Sequence, residues 1–363
     1  MGRTGAASRS SAVTVVRACS LAAAALLAAC GPAPTSPPRA TTAPGPTDRS
    51  STTAPAVPAR PPSGALGTPL APPAALAPFR ALATPGEGRW RGAGRLVDGI
   101  PAVYETSLVP PGGSEPAGVA WMDTRLLTAR LYSGSGSPGG GPYRYTAPVQ
   151  PADAGSLVAA FNGGFLMDSA GGGYYTEGRT VVPLVTGAAS LVVRADGTVD
   201  IGAWGTDVTM TPDVVAVRQN LVPLVADGRP TAQAIGPDWQ AWGNTCGATS
   251  CAHSVPGVEQ QWRSGAGVTA DGALVYVTGP LLAPAQLAAL LVRAGVVRGM
   301  ELDINPSWTV FVTYDPILPG GPASPDNGVR LVPATVQGPA TFFEAWWARD
   351  FVTMSARTPS AGA

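Results

Sequence analysis

The feature that most limits how this chain can fold is a proline-rich stretch over residues 31–78. It contains fourteen prolines among Thr, Ser and Ala, and almost no large apolar residues. Such a segment cannot bury enough apolar surface to offset the conformational entropy that is lost on ordering. We therefore expect residues 30–78 to be an extended, semi-rigid tether and residues 79–357 to form a single folded domain.

The residues before the tether have the pattern of a bacterial lipoprotein signal peptide. Three arginines lie among the first 17 residues, and the apolar run at 21–29 is shorter than the roughly 18 residues that cross a membrane. The sequence Leu-Ala-Ala-Cys-Gly at 27–31 resembles a lipobox, in which the cysteine takes a diacylglyceryl group before cleavage. We predict that residues 1–29 are removed and that Cys30 anchors an exported protein at the outer face of the cytoplasmic membrane. The alternative is an ordinary secretory signal with a cysteine there by chance.

Charge and histidine content exclude several classes of function. The formal net charge is zero, so we expect no nucleic-acid partner. Every basic residue is an arginine, which excludes Schiff-base chemistry on lysine and a P-loop lysine. His253 is the only histidine, so a zinc site with several histidines is also excluded.

Two cysteines, Cys246 and Cys251, remain once Cys30 and the signal peptide are set aside. In an exported protein we expect this pair to form a disulfide bond. A metal site made with His253 is the alternative, although a fourth ligand is missing. A serine–histidine hydrolase would also have to use His253, and it is a third hypothesis.

Strand and helix patterns dominate the second half of the chain. Residues 189–201 and 267–278 each predict a β-hairpin around an Asp-Gly turn. A helix is predicted from Pro284 to Gly295, with its leucines on one face, and a buried strand follows that ends near residue 304. A strand, a helix and a strand of this length form a crossover unit. The two strands should therefore be parallel, with Asp303 at the end of the sheet where ligands bind.

Two other segments complete the expected fold. The buried strand at 157–161 ends in Asn162-Gly163-Gly164, where a sharp turn would let backbone amides approach a ligand, and a plain turn is the alternative. The aromatic segment 342–351 predicts a helix packed on the core. The fold class expected from these patterns is α+β, with a mixed β-sheet core and flanking helices.

Four short sequences stand out together in the folded part. They are Phe-Asn-Gly-Gly-Phe at 161–165, Val-Arg-Gln-Asn-Leu at 217–221, Trp-Arg-Ser-Gly-Ala-Gly at 262–267 and Met-Glu-Leu-Asp-Ile-Asn at 300–305. In this order and spacing they resemble the phosphodiester glycosidase family, the domain type of N-acetylglucosamine-1-phosphodiester alpha-N-acetylglucosaminidase. The resemblance covers about residues 150–350 and implies hydrolysis of a bond between a sugar and a phosphate.

The residues of these sequences fit that chemistry. Arg263 and Arg218 offer forked donors to the single negative charge of a phosphodiester, and a surface ion pair is the alternative for each. Asp303 and Glu301 could act as acid, base or nucleophile at the anomeric carbon. Asn305 would share their strand face, because side chains alternate along a strand. An Asp303 that only orders a loop is the alternative.

The function predicted from the sequence is an exported, lipid-anchored hydrolase that cleaves a glycosyl phosphodiester in cell-envelope glycans. Asn162 and Asn220 would hydrogen-bond sugar hydroxyls, and Gly163 and Gly164 would bring backbone amides to the substrate. The partners would be a carbohydrate or sugar-phosphate substrate, and the membrane through the lipid. A divalent cation between a site carboxylate and the phosphate would suit these oxygen ligands, although no ligand spacing identifies one.

A noncatalytic lipoprotein that binds envelope glycans on the same fold is the second hypothesis. The family usually has Asp-Gly-Gly where this chain has Asp303-Ile304-Asn305, and the lost glycines remove part of the amide cradle for a phosphate. Glycan binding without turnover would distinguish this protein from a hydrolase.

Mass spectrometry of the mature N-terminus tests the lipid anchor. We expect the first residue to be Cys30 carrying a diacylglyceryl group, because a lipobox cysteine is modified before cleavage. An unmodified Cys30, or a first residue elsewhere, would contradict this prediction without bearing on the fold.

Overall fold

The computed structural model describes residues 67–243, 259–318 and 320–358, and all of them belong to one unit of the chain, Val57–Ala363. The described residues are 38% strand and 9% helix, so the fold is built mainly from sheets. The predicted signal peptide and Cys30 lie outside the described residues, as do Cys246, Cys251 and His253. The lipid anchor and the disulfide bond therefore stay predictions.

β-Branched and aromatic residues, which favour extended backbone, are common in these strands. The first nine strands are β1 (Arg91–Val97), β2 (Ile100–Leu108), β3 (Ala117–Met122), β4 (Leu127–Tyr132), β5 (Leu157–Asn162), β6 (Tyr174–Thr176), β7 (Arg179–Val182), β8 (Ala189–Arg194) and β9 (Val199–Ala203). The others are β10 (Val214–Gln219), β11 (Val225–Ala226), β12 (Arg229–Pro230), β13 (Gln261–Thr269), β14 (Leu274–Leu282), β15 (Val296–Glu301), β16 (Phe311–Tyr314), β17 (Gly328–Arg330) and β18 (Phe351–Ala356).

Helix is confined to short segments, so the expectation of flanking helices was wrong. The α-helices are α1 (Pro151–Ala154), α2 (Ala232–Ile235) and α3 (Pro284–Arg293), and 3-10 turns lie at Trp239–Trp242, Pro325–Asn327 and Thr341–Phe343. Of the α-helices in the described residues, only α3 is longer than four residues. None of the described helices is long and apolar enough to cross a membrane.

The helix expected at 342–351 does not form. The chain makes a short turn there and enters β18, while Phe342, Trp347 and Phe351 are fully buried beside Tyr132. The packing of this segment on the core is thus confirmed, and its helical conformation was a wrong prediction. A short apolar run does not reveal its period, because turn, strand and helix can all bury it.

The strands form three sheets within the described residues. The first has eight strands in the order β1-β2-β3-β14-β13-β15-β11-β12. The second and third have five strands each, in the orders β7-β6-β10-β8-β9 and β17-β16-β5-β18-β4. Both predicted hairpins, β8–β9 and β13–β14, pair antiparallel as expected. The expectation of a core made of β-sheet is therefore confirmed.

The predicted crossover unit is also confirmed. β14 and β15 both pair antiparallel with β13, which lies between them, so these two strands run parallel to each other. α3 connects them and covers the sheet with Leu287, Leu290 and Leu291, which are fully buried. The side chain of Gln286 accepts a hydrogen bond from the Ala283 N–H at 2.9 Å and so caps the first turn of α3.

Glycines in β13 allow this close packing. A Cβ atom on Gly267 would lie 2.3 Å from Val296 Cγ1, and one on Gly265 would lie 2.8 Å from the Met300 carbonyl oxygen. Protein packing does not tolerate such contacts, so the Gly-Ala-Gly sequence of β13 is required for the close approach of β15.

The main core lies where the three sheets meet. It joins Val103 of β2, Leu191 of β8 and Phe161 of β5, one residue from each sheet, and none of them is more than 2% exposed. A second cluster lies between the first sheet and α3, and a third lies beneath the aromatic segment before β18. Side chains from distant parts of the sequence therefore fix the sheets, and their strand ends, relative to one another.

The end of the expected tether lies on the domain. Leu70 is buried and its N–H donates to Asp123 Oδ2 at 2.8 Å, while the Leu76 N–H donates to the Gly88 carbonyl at 2.9 Å. The packed part of the chain therefore begins before Phe79. Its leucines supply the apolar contacts that the high proline content of the segment obscures.

Leu287→Ala should lower the free energy of unfolding by about 2–5 kcal/mol, because it leaves a cavity between α3 and the first sheet. Leu82→Ala is the matched control, since Leu82 is 89% exposed. It should change the free energy of unfolding by less than about 0.5 kcal/mol. Urea unfolding followed by circular dichroism measures both variants, and equal losses would contradict the packing described for α3.

Candidate active site

The residues singled out in the sequence lie at strand ends from all three sheets. Asn162 ends β5, Arg218 lies near the end of β10, Arg263 lies in β13, and Glu301 ends β15. Hydrogen bonds join these positions and Asp303 into one buried network. The fold thus brings together residues that are far apart in the sequence.

Arg263 and Glu301 form a fully buried ion pair. Arg263 Nη1 donates to Glu301 Oε1 at 2.5 Å and to the Trp242 carbonyl at 2.9 Å. Its Nε donates to the Leu282 carbonyl at 2.7 Å, and its Nη2 donates to the Glu259 carbonyl at 3.1 Å. Neither charged side chain has exposed surface. The guanidinium therefore binds the protein itself, in a buried pair rather than in the surface pair considered as the alternative.

Arg218 forms a second buried pair, with Asp350. Its Nε donates to Asp350 Oδ2 at 2.7 Å and its Nη2 donates to Oδ1 at 3.3 Å, which is the forked geometry of a strong pair. Nη1 donates to the Gln219 carbonyl at 2.5 Å, and Nη2 also donates to the Phe165 carbonyl. Because the side chain is only 1% exposed, its donors bind the protein and not the solvent.

Asn220 ties the two pairs together. Its Oδ1 accepts from the Phe165 N–H at 3.0 Å, and Phe165 is itself bound to Arg218. Its Nδ2 donates to the carbonyls of Glu301 at 2.9 Å and Leu302 at 3.2 Å. The Asn220 amide thus bridges the chain that follows β5 and the end of β15.

Asn162 extends the network toward Asp303. Its Oδ1 accepts from the Tyr276 hydroxyl at 2.6 Å, and its Nδ2 donates to Ser264 Oγ at 3.1 Å. Ser264 Oγ also accepts from the Asp303 N–H at 3.1 Å. Asn162 therefore uses its amide inside the protein, where it supports the backbone of Asp303.

Asp303 lies just beyond the end of β15. Its Oδ1 accepts from the N–H groups of Ile304 at 2.8 Å and Asn305 at 3.0 Å, and its Oδ2 pairs with Arg349 Nη2. The Asp303 side chain is 3% exposed and that of Arg349 is 9% exposed, so this pair is the one nearest the solvent. Asp303 thus orders a loop, and it also presents the outermost carboxylate of the network.

Gly163 and Gly164 leave room for these side chains. A Cβ atom on Gly163 would lie 2.1 Å from Asp350 Oδ2, and one on Gly164 would lie 2.7 Å from Asn220 Oδ1. The Gly163 N–H donates to the Asp350 carbonyl at 2.8 Å, so this amide is already bound. Both glycines serve close packing of the network.

Asn305 does not share a strand face with Glu301 and Asp303, because β15 ends at Glu301. Its Oδ1 accepts from the Ser307 N–H at 2.9 Å, and its carbonyl accepts from the Trp308 N–H at 2.8 Å. Asp and Asn side chains that bond the backbone in this way form turns. The strand predicted to end near residue 304 was therefore about three residues too long.

Sequence reasoning missed Arg349, Asp350 and Trp308. Arg349 and Asp350 are adjacent charged residues directly before β18, in an otherwise largely apolar and aromatic segment, and that contrast is the signal that could have revealed them. The Arg349 guanidinium carbon lies 5.2 Å from the ring centroid of Trp308. Arg349 and Asp350 each complete one of the three ion pairs of the network.

Burial shifts the titration of both carboxyls near β15. It raises the pKa of Glu301 to about 7, with Arg263 acting in the opposite direction and the Asp303 charge adding to the rise. Burial also raises the pKa of Asp303, although the Arg349 charge and the two backbone N–H groups favour its ionised form.

One surface cleft of the described residues lies apart from this network. This cleft of about 290 Å³ is lined by residues that include Arg194, Asp200 and Arg298, and it shares no residue with the network. Among residues 67–243, 259–318 and 320–358, no group of three or more His, Cys, Asp or Glu is placed to hold a metal ion. The carboxylates considered for a divalent cation, Asp303 and Glu301, are each paired with an arginine.

Comparison with known proteins finds structural likeness only. No protein-family model matches the chain, and no curated protein matches it. The catalytic domain of zebrafish N-acetylglucosamine-1-phosphodiester alpha-N-acetylglucosaminidase, auto-inhibited by its pro-peptide, is 18% identical at a TM-score of 0.41, covering 74% of this chain and 88% of that one. A hypothetical protein from Synechocystis is 11% identical at a TM-score of 0.35, covering 72% and 63%. Likeness at these scores carries no argument about activity.

Glu301→Gln should change how stability depends on pH. Because the folded-state pKa of Glu301 is raised to about 7 from 4.5, the folded protein keeps a proton that the unfolded chain has lost. Wild-type stability should therefore fall, relative to Glu301→Gln, as pH rises from 4.5 to 7. The total loss should be roughly 3 kcal/mol.

Urea unfolding at half-unit pH steps measures this difference, and the exposed Glu115→Gln variant controls for the loss of one carboxyl. The prediction is contradicted if the stability of the wild type rises over this range relative to that of Glu301→Gln. Such a rise would show that the buried carboxyl is ionised well below neutral pH.

Proposed function

We propose that the protein is an exported, lipid-anchored hydrolase that cleaves a glycosyl phosphodiester in cell-envelope glycans. The observation that carries the proposal is the position of Asp303, a carboxylate held beyond a central strand end by Arg349 and two backbone N–H groups. The four sequences that resemble phosphodiester glycosidases support it, because hydrogen bonds link residues of all four into the network that includes this carboxylate. The predicted anchor at Cys30 would place the domain among envelope polymers that contain such linkages.

Asp303 is the general base of the proposed reaction. A water molecule attacks the anomeric carbon while the bond from that carbon to the phosphate oxygen breaks. Asp303 takes the proton from the water, and the phosphomonoester leaves with the bonding electron pair. This role needs an ionised Asp303. Burial raises the pKa of Asp303, and the Arg349 charge together with the N–H groups of Asn305 and Ile304 opposes that rise.

Glu301 and Arg263 are positioning residues in this proposal. Both side chains are fully buried, so neither reaches a substrate. Their pair joins β13 to β15 at the point where the Ser264 N–H donates to the Asp303 carbonyl at 2.7 Å. By fixing this strand end, the pair sets the direction in which Asp303 leaves the sheet.

A noncatalytic glycan-binding lipoprotein is the second candidate function. The observation that favours it is the use of the Arg218 and Arg263 donors within the protein, which leaves neither arginine free to stabilise charge in a transition state. The network also uses Asn162, Asn220 and the pair Gly163-Gly164. These residues would affect substrate binding indirectly, by holding the network in place. This candidate predicts binding of envelope glycan fragments without product.

Asp303→Asn should lower the rate of sugar release by roughly 10²–10⁴-fold, the usual contribution of a general base. Glu301→Gln should lower it much less, because a neutral amide of the same shape can still bond to Arg263. The measurement is release of reducing sugar by the mature chain from methyl phosphodiesters of several sugar 1-phosphates.

Asp200→Asn is the matched control, since Asp200 also pairs with an arginine, at 2.5 Å, but lies outside the network. Equal losses in Asp303→Asn and Glu301→Gln would contradict the assignment of Asp303 as the base and Glu301 as a positioning residue. Unchanged rates in Asp303→Asn would remove Asp303 from the mechanism, and binding of these probes without any release by the wild type would favour the second candidate.

A further inference from the structure

Arg349 differs from the other two arginines of the network in its free donor. Its Nη2 donates to Asp303 and to the Gly164 carbonyl at 3.4 Å, but its buried Nε has no hydrogen-bond partner in the part of the chain that the structure describes. In Arg218 and Arg263, Nε donates to a protein oxygen at 2.7 Å. Arg349 is therefore the arginine of the three whose guanidinium has the most bonding capacity left.

A buried N–H without a partner costs about 1–3 kcal/mol, so native structures pair nearly all of them. Arg349 is 8% exposed, which places it at the edge of the network and not in its centre. A charged donor in this position suits an anionic oxygen, and a phosphodiester offers two such oxygens to a planar guanidinium.

Trp308 lies directly beside this donor. Trp308 is half-buried, the Arg349 guanidinium carbon lies 5.2 Å from its ring centroid, and the buried Trp347 ring lies 4.9 Å away at 60°. The turn made by Asn305 fixes its backbone. A partly buried tryptophan held in this way offers an apolar surface beside a charged group.

We propose that Arg349 and Trp308 form the glycosyl-phosphate subsite, in which the guanidinium binds the phosphodiester anion and the indole packs on the apolar face of the sugar ring. This inference rests on the proposed function and names the groups through which substrate is held. The subsite places the bond to be broken beside Asp303, which shares Arg349 with the phosphate.

The experiment measures binding by titration calorimetry of both the mature chain and its Asp303→Asn variant, because Asp303→Asn slows turnover but also removes the carboxylate that pairs with Arg349. The probes are the methyl phosphodiesters of the 1-phosphates of glucose, galactose, mannose and N-acetylglucosamine, the matching methyl glycosides, and dimethyl phosphate. We expect at least one diester to bind more tightly than its neutral glycoside. Arg349→Gln should abolish this preference, a loss of roughly 10- to 100-fold in diester affinity.

Trp308→Ala should weaken both sugar-containing probes by about 3- to 10-fold and leave dimethyl phosphate unchanged. Arg349→Lys should restore part of the diester preference, because charge is kept while the planar fork is lost. Circular dichroism confirms folding of each variant, and the Trp308 variant decides the inference if an Arg349 variant does not fold.

Two matched controls separate local from general effects. Arg130 also pairs with a carboxylate, Asp153, at 2.8 Å and lies 4.1 Å from an aromatic ring, that of Tyr145. Arg130→Gln and Trp204→Ala should leave binding of every probe unchanged, since both residues lie outside the network. If these controls lose as much affinity as the Arg349 and Trp308 variants, the inference is overturned.

The two proposals fail in different ways. If diester affinity is unchanged in the Arg349 and Trp308 variants, the subsite is overturned. The hydrolase proposal is then decided by the release assay alone. Binding that depends on both residues, with no sugar release by the chain that retains Asp303, supports the subsite and overturns the hydrolase. A chain that binds none of the probes overturns both.

Discussion

Three buried ion pairs between arginine and carboxylate set the geometry of the site. They are Arg263 with Glu301, Arg218 with Asp350, and Arg349 with Asp303. Taking one such charge out of water costs several kcal/mol unless its partner and its remaining hydrogen bonds are in place. The end of β15, the end of β10 and the segment before β18 can therefore adopt only an arrangement in which all three pairs close. The strand ends are held in place by this requirement as well as by apolar packing.

The elements with local signals could be predicted from the sequence. The hairpin β8–β9, the helix α3 and the crossover from β14 to β15 each depend on residues close together in the chain, such as a turn glycine or an apolar helix face. The expected flanking helices failed because the aromatic segment 342–351 buries its rings in a turn and a strand. Such packing depends on residues of other elements that the rings contact, and the local sequence does not reveal which residues these are.

The candidate site was predictable as a set of residues but not as a set of contacts. Asn162, Arg218, Arg263 and Asp303 were found through short sequences, and the structure does bring them together. Their partners could not be found in the same way, because ion pairs between residues far apart in the chain leave no local pattern. Arg218 and Arg263 were predicted to bind the substrate. In the structure both form buried ion pairs within the protein instead.

One of these partners lies very late in the chain. Asp350 follows Arg218 by 132 residues, so during synthesis Arg218 emerges long before the carboxylate with which it pairs in the folded protein. Contacts of such long range form slowly, since a large loop must close first. The buried centre therefore cannot close until the chain has been synthesised at least as far as Asp350. A complete site would thus indicate that this long loop has already been closed.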